Sequence, residues 1–172
     1  MFQLNDKTAL VTGATGGIGA DIARALHEQG ATLGLTGRNE EKLAALEKEL
    51  GERAFSLPAD LSDDEAVTAL VKEAEEKMGR IDILVNNAGI TRDNLSMRMK
   101  DEEWADVIDV NLTTPFKLAK AVQRGMMKRR WGRIINISSV VGTTGNPGQC
   151  NYVAAKAGLV GWTKAMAQEV AS

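Results

Sequence analysis

Three residues in the last third of the chain have side chains and spacing suited to proton transfer at an oxygen atom. Tyr152 and Lys156 are four residues apart in a helical pattern, so they share one face of the helix. A phenol has an ordinary pKa of about 10, and a nearby ammonium lowers it by favouring the phenolate. Ser139 follows an apolar run and could hydrogen-bond a carbonyl oxygen. The set predicts acid–base catalysis during hydride transfer, whereas Tyr-x-x-x-Lys alone is more often a surface pair.

A glycine-rich segment near the amino terminus could hold a phosphate group. Residues 12–19, TGATGGIG, follow an apolar run and open a helical pattern. Glycine lets the backbone approach a ligand closely, and a helix N-terminus offers free N–H groups and a positive dipole end. The segment predicts a pyrophosphate cradle, although a tight strand-to-helix turn is the alternative. The residues assigned to cofactor binding here are Gly13, Thr15, Gly16, Gly17, Ile18 and Gly19.

The end of the second apolar run indicates which dinucleotide is bound. A ribose 2′-hydroxyl is usually recognised by an acidic residue about 20 positions after the glycines, and a 2′-phosphate by arginine. Arg38 stands at the end of this run, and no acidic residue does. Glu40 and Glu41 come later, where they suit the first turn of a helix. The pattern predicts NADP as the cofactor, with a solvated surface arginine as the alternative.

Five apolar runs, separated by helical patterns, have to position these groups. They are nearly continuous rather than alternating, which is typical of strands buried on both faces of a parallel sheet. The order predicts an α/β fold with a Rossmann-type doubly wound parallel sheet, in one NADP-binding domain over residues 1–172. The runs are Thr8–Val11, Thr32–Leu35, Ala54–Leu57, Ile81–Val85 and Ile134–Ile137.

Local signals predict where several helices begin and end. Asn39 is expected to cap the second helix, and Ser62 with Glu65 is expected to form a capping box for the third. Gly30, Gly51 and Gly79 are expected to follow the ends of the first three helices.

Composition narrows the function classes. The 21 basic and 23 acidic residues give a net charge of −2, which argues against a general binder of nucleic acid or membrane surfaces. The single cysteine, Cys150, cannot form an internal disulfide, and no Cys/His cluster predicts a metal site. Neither a signal peptide nor a membrane span is recognisable, so we expect a cytoplasmic protein.

These motifs together resemble the short-chain dehydrogenase/reductase family. The residues that carry the resemblance are 12–19, Asn86–Gly89, Asn111, Ser139 and the Tyr152/Lys156 pair. Residues 86–104 and 132–158 are more narrowly similar to bacterial reductases of β-ketoacyl groups on acyl carrier protein. The resemblance covers essentially the whole chain.

The resemblance implies a role for each matched position. Tyr152 would be the acid–base, Lys156 would bind the nicotinamide ribose and favour the phenolate, and Ser139 would orient the carbonyl. Asn111 would hold a water in a proton relay. Asp60, followed by Leu61, would contact the adenine, while Asn87, Ala88 and Gly89 would line the cofactor. Gly16 departs from the arginine that NADP-using members often carry there, which leaves the 2′-phosphate to Arg38.

The residues themselves offer one further argument for Asn111. Pro115 has no N–H, so within a helix it would leave the carbonyl of Asn111 free to bind a water. The alternative is that Pro115 begins a new helix.

The activity implied is the NADPH-dependent reduction of 3-oxoacyl groups on acyl carrier protein, in fatty-acid synthesis. The alternatives are a reductase or dehydrogenase of another ketone or alcohol, and a nucleotide-binding fragment without turnover. By resemblance we expect a homotetramer, with the carrier docking near Arg129 and Arg130. These basic residues could equally be a cluster at a helix C-terminus.

The end of the chain gives a further expectation. Ser172 falls within a helical pattern, and the apolar run Ile134–Ile137 would be left at a sheet edge. Members of the resembled family continue for tens of residues and add two more strands. We therefore expect the last strands to be missing from this chain.

Overall fold

Five parallel strands form one sheet in the order β3-β2-β1-β4-β5. The structure, a computed structural model, describes residues 3–171. This sheet, with helices on both faces, confirms the predicted Rossmann-type α/β fold. The strands are β1 (Thr8–Thr12), β2 (Thr32–Gly37), β3 (Ala54–Pro58), β4 (Ile83–Asn86) and β5 (Arg133–Asn136).

Helices connect the strands and cover the sheet. They are α1 (Gly17–Glu28), α2 (Glu40–Leu50), α3 (Asp64–Met78), α4 (Asp101–Ile108), α5 (Thr114–Arg129), α6 (Val141–Thr144) and α7 (Cys150–Glu169). A π-helical segment, Asp109–Thr113, joins α4 to α5. Within residues 3–171, no helix is both long and apolar enough to cross a membrane.

The core has two layers, one on each face of the sheet. Leu10 and Leu84 pack against α3 and α5 on one face. Val11, Leu33 and Val85 pack against α1 and α2 on the other. Strands β1 and β4 are buried along their whole length because helices cover both of their faces.

Four predicted helix boundaries follow the sequence signals and one does not. Gly30 follows the end of α1, and Gly51 follows the end of α2. The Asn39 side chain accepts a hydrogen bond from the Lys42 N–H at 2.9 Å, which confirms the cap, and Gly79 ends α3 in the left-handed conformation. The capping box predicted at Ser62 is wrong. Asp63 caps α3 instead, accepting from the Glu65 N–H at 2.9 Å. The reason is that Ser62 is bound to Asp60, through its N–H at 3.0 Å and its hydroxyl at 2.8 Å.

The helix from α4 to α5 runs without a break through the π-helical segment. Pro115 lies in the first turn of α5, and the N–H of Thr114 donates to the Asp109 carbonyl five residues back. The two alternatives for Pro115 are therefore both met: Asn111 has helix on each side, and α5 begins next to Pro115. Because Pro115 has no N–H, the Asn111 carbonyl lacks its usual i+4 hydrogen-bond donor. Such π segments are frequent at functional sites.

A buried carboxylate fixes the end of the sheet opposite to the candidate site. Asp82 accepts from the Thr8 N–H at 3.2 Å and from Arg80 Nε at 2.9 Å. Arg129 Nε lies 3.6 Å from the same carboxylate. Through Asp82, the network joins the beginning of β1 to the end of α5.

Candidate active site

The glycine-rich turn between β1 and α1 is built so that α1 lies unusually close to it. Gly13 has φ +65, which glycine tolerates best. A Cβ at Gly19 would overlap the Gly13 carbonyl oxygen and lie 2.6 Å from Asn87 Nδ2. Gly16 caps α1 without a side-chain hydrogen bond, and the first three residues of the helix, Gly17–Gly19, line the cleft described below. This arrangement suits an anion at the N-terminus of α1.

Strand β4 supports the turn from the side. The Thr12 hydroxyl accepts from the N–H groups of Asn87 and Ala88, both at 3.0 Å. Asn87 Nδ2 donates to the carbonyls of Thr12 at 3.0 Å and Gly13 at 3.2 Å. Asn87 therefore ties the end of β4 to the end of β1. Sequence reasoning predicted Asn87 as a cofactor contact and missed Thr12 as its anchor.

A cleft of about 730 Å³ runs along the carboxyl ends of β1, β2, β3 and β4. This volume is within the usual range for small-molecule and cofactor sites. Its lining contains every predicted cofactor residue outside α7: Gly13, Thr15–Gly19, Arg38, Asp60, Leu61 and Asn87–Gly89. It also contains Arg92 and Asp106, which sequence reasoning missed because charged residues at a loop and a helix carry no signal of facing a cleft.

One end of the cleft carries a fixed negative charge and an exposed positive one. Hydrogen bonds from the N–H and hydroxyl of Ser62 hold the pKa of Asp60 below its ordinary value, and the charge of Arg38 adds to the effect. Asp60 is therefore ionised at neutral pH. Arg38 is exposed at the end of β2, where its guanidinium is accessible to an anionic group.

Helix α7 brings Tyr152 and Lys156 together as the spacing predicts, beside Gly89 of the cleft but outside its lining. Lys156 Nζ lies 5.6 Å from the centre of the Tyr152 ring and donates to the Ile137 carbonyl at 2.8 Å. Lys156 is only 4% exposed. Burial lowers the pKa of Lys156, because desolvation penalises its charged form.

The loop after β5 holds Ser139 near α7. The hydroxyl of Ser138 donates to the Lys156 carbonyl at 3.0 Å. A Cβ at Gly142 would lie 3.1 Å from the backbone of Lys156, so α6 packs closely on α7. Ser139 itself is half-buried, and its hydroxyl has no protein hydrogen bond among the described residues. The hydroxyl is therefore available to a ligand.

Asn111 presents an unused oxygen at the place where the cleft meets Lys156. Its Nδ2 donates to the carbonyls of Ile90 at 2.9 Å and Val107 at 2.8 Å. Its Oδ1 is buried and has no partner among the described residues. A Cβ on Gly89 would lie 2.5 Å from that oxygen and 3.8 Å from Lys156 Nζ. A buried acceptor without a partner costs about 1–3 kcal/mol, so a water or ligand is the expected partner.

These features fit a dinucleotide. The cradle lines the cleft with the N-terminus of α1, and Arg38 adds an exposed positive charge. Asn111 offers an unused oxygen beside Gly89 of the same lining.

A comparison with known protein families identifies the family of this chain. The model of the family described as short chain dehydrogenase matches residues 7–172. The chain belongs to the short-chain dehydrogenase family. The family assignment confirms the resemblance inferred from the motifs, and it makes the chain an oxidoreductase of a family that uses nicotinamide cofactors.

Relatives of this short-chain dehydrogenase include two kinds of named protein. It is 57% identical over 171 residues to the 3-oxoacyl-[acyl-carrier-protein] reductase of Vibrio harveyi, and 53% identical over 171 residues to that of Escherichia coli (strain K12). It is 56% identical over all 172 residues to nodulation protein G of Rhizobium sp. (strain N33). Each alignment covers 99–100% of this chain and 70% of the relative.

The buried lysine predicts a pH dependence of stability in this short-chain dehydrogenase. The pKa of Lys156 is lower in the folded state than its ordinary value of 10.5, which applies to the unfolded chain. At pH values between the folded and unfolded pKa, the unfolded chain therefore binds more protons than the folded one. The free energy of unfolding therefore gains a contribution that rises with pH up to about 10.5, by at most about 1.4 kcal/mol per pH unit.

The Lys156→Met variant removes this contribution and should show a shallower rise of unfolding free energy with pH. Urea unfolding of both proteins from neutral pH to about pH 10 measures the difference. Lys164, exposed on the same helix, gives the matched control in Lys164→Met, which should follow the wild type. Parallel curves for wild type and Lys156→Met would contradict the prediction.

Proposed function

We propose that this chain is an NADPH-dependent reductase of 3-oxoacyl groups carried as thioesters on acyl carrier protein, yielding 3-hydroxyacyl groups in fatty-acid synthesis. The observation that carries the reaction type is the Tyr152/Lys156 pair, whose lysine lies beside Gly89 in the cleft lining. The substrate class rests on the similarity to 3-oxoacyl-[acyl-carrier-protein] reductases. The proposal treats residues 1–172 as one NADP-binding domain.

The cofactor would lie along the cleft with its pyrophosphate on the first N–H groups of α1. Arg38 would hold the 2′-phosphate, and Asp60 and Leu61 would contact the adenine. Asn87–Gly89 would line the middle of the cleft, with Tyr152 and Lys156 at the nicotinamide ribose. When bound, the reduced nicotinamide supplies a hydride for the carbonyl carbon of the substrate.

The residues of α7 and the β5 loop would control the substrate oxygen. The Ser139 hydroxyl donates to the carbonyl and orients it, and the Tyr152 hydroxyl transfers its proton to the oxygen as negative charge develops there. The ammonium of Lys156 stabilises the phenolate that remains. The proton would be replaced through a water bound at Asn111, which has both an unpartnered Oδ1 and a carbonyl that Pro115 leaves without its usual donor.

Arg38 should decide the preference for NADPH over NADH. A hydrogen bond to a charged group contributes about 1.5–3 kcal/mol, so Arg38→Ala should raise the KM for NADPH by about 10–100-fold and change the KM for NADH much less. Arg124 is exposed on α5 outside the cleft, and Arg124→Ala is the matched control. Equal losses for both cofactors in Arg38→Ala would contradict the NADP assignment.

The direct test of the proposed reaction is the loss of NADPH absorbance with three substrates: an acetoacetyl thioester on acyl carrier protein, acetoacetyl-CoA and a simple diketone. The proposal expects turnover with the highest kcat/KM on the carrier-bound thioester. Turnover of the diketone alone would favour a reductase of another ketone. NADPH binding without oxidation of any substrate would favour a nucleotide-binding protein. The similarity to nodulation protein G is the reason to test more than one class of substrate.

The proposal includes a cytoplasmic homotetramer and electrostatic docking of the acidic carrier. Arg129 donates to the Ile81 carbonyl at 2.7 Å and faces Asp82, so part of its hydrogen-bonding capacity is used within the fold. Lys128 and Arg130 are exposed beside it and would carry more of the docking charge. Arg130 ends α5 in a left-handed conformation, which also suits the helix C-terminus.

A further inference from the structure

Two buried asparagines hold the loop at residues 90–92 against α4. Each donates both N–H bonds of its side chain to backbone carbonyls, one in the loop and one in the helix. Asn111 binds Ile90 and Val107, as described above. Asn151 binds the carbonyls of Arg92 and Glu103, both at 3.0 Å. Asn111 and Asn151 are both fully buried.

Asn151 has one contact that Asn111 lacks. Its Oδ1 accepts a hydrogen bond from the N–H of Tyr152 at 2.8 Å. All three hydrogen-bonding groups of this amide are therefore used, two toward the loop and α4, and one toward the backbone of the next residue. A buried amide so fully bound resists displacement, because losing any partner leaves a desolvated polar group.

Further contacts join the same two segments. The N–H of Asn94 donates to the Gly148 carbonyl at 2.9 Å. Gln149 Nε2 donates to both carboxylate oxygens of Asp93 at 3.1 Å. The residues just before Tyr152 are thus bound to residues 92–94, and Asn151 is the innermost of these contacts.

We propose that Asn151 is a positioning residue for Tyr152: it fixes the first turn of α7 to the 90–92 loop and to α4, and so sets where the phenol lies relative to Lys156 and to the cleft. This inference rests on the proposed function, in which the Tyr152 hydroxyl is the proton donor. The α4 side of this connection continues into the π-helical segment that carries Asn111. Asn111 and the residue next to Tyr152 are therefore both hydrogen-bonded to the same loop, at residues 90–92.

The single tyrosine of the chain provides a readout that does not depend on turnover. Tyr152 is the only tyrosine in the sequence, so incorporation of 3-fluorotyrosine places one ¹⁹F resonance at this position. The variants are Asn151→Ala, and Asn151→Asp, which keeps the shape and the acceptor but loses both donors. Asn94→Ala is the matched control, because Asn94 Nδ2 binds the Arg98 carbonyl and Glu103 within the same region but does not contact α7.

We expect both Asn151 variants to shift or split the ¹⁹F resonance and to lower kcat by about 100-fold, with little change in the KM for NADPH. A displacement of about 1 Å in a reacting group can cost this much. Asn94→Ala should keep the wild-type resonance and kcat, even where it lowers stability. A merely structural role for Asn151 predicts a lower melting temperature with the native resonance and native kcat, and that result would overturn the proposal.

This design distinguishes failure of the proposed function from failure of the positioning role of Asn151. If the wild-type chain shows no turnover, the proposed function fails while the ¹⁹F arm still tests the position of Tyr152. If Asn151→Ala and Asn151→Asp do not fold, Asn151→Ser, which retains one hydroxyl donor, is measured instead. A native ¹⁹F resonance in folded Asn151→Ser would overturn the proposal, and a shifted resonance would support it.

Discussion

Replacing Tyr152 by Phe should lower kcat for acetoacetyl thioester reduction by about 1,000-fold, while NADPH affinity changes only a few-fold. General acid catalysis typically contributes 10²–10⁴-fold, and the substitution removes only the hydroxyl that would supply the proton. The aromatic ring that lies 5.6 Å from Lys156 Nζ is retained, so the packing of α7 should persist. Steady-state kinetics and NADPH fluorescence titration measure the two quantities separately.

A neighbouring substitution controls for damage to the beginning of α7. Cys150 is exposed at the first residue of this helix, and Cys150→Ser changes one atom there. This variant should retain wild-type turnover. A Tyr152→Phe protein with more than a tenth of wild-type kcat would rule out Tyr152 as the proton donor, whatever the behaviour of the control.

Gly19→Ala should damage both stability and cofactor binding more than any other single-methyl addition to the cradle. The new methyl group would overlap the Gly13 carbonyl oxygen and come within 2.6 Å of Asn87 Nδ2. Overpacking of this kind typically costs about 1–3 kcal/mol, and here the nearest obstacle is backbone that cannot rotate away. If α1 shifts to relieve the overlap, its N–H groups leave the cradle, and we expect NADPH affinity to fall at least about tenfold.

Gly17 provides the matched comparison for stability. It is the first residue of α1, two positions away, and a Cβ there would meet nothing within 4 Å. Gly17→Ala should therefore leave the free energy of unfolding unchanged or raise it by up to about 1 kcal/mol, through the lower entropy of the unfolded chain. Urea unfolding of the two variants tests the pair. Equal stability of Gly19→Ala and wild type would contradict the close packing of the turn.

Much of the fold was predictable because its signals are local. Apolar runs without alternation marked all five strands to within a few residues, and the parallel order followed from the helical patterns between them. The cradle at residues 12–19 was equally readable, since turn, strand and helix adjoin in the sequence. The spacing of Tyr152 and Lys156 placed both on one helix face without further information.

Other site residues needed the family resemblance, because their own sequence signals are weak. Asp60 and Asn111 are common residue types, and matching to motifs selected them. For Asn111 alone, Pro115 four residues later added a local argument. Asp60 now lies in the cleft lining, and the Asn111 oxygen lies beside Gly89. Their proposed roles in adenine binding and proton relay stay predictions.

Tertiary structure alone decided which polar groups are satisfied and which are left for a ligand. Asn111 kept an unused Oδ1, whereas Asn151 used all three of its hydrogen-bonding groups. The partners of Asn151 include carbonyls 59 and 48 residues away in the chain. A sequence pattern reports periodicity and nearest neighbours, whereas hydrogen-bond satisfaction depends on contacts between distant segments that exist only after the chain has folded.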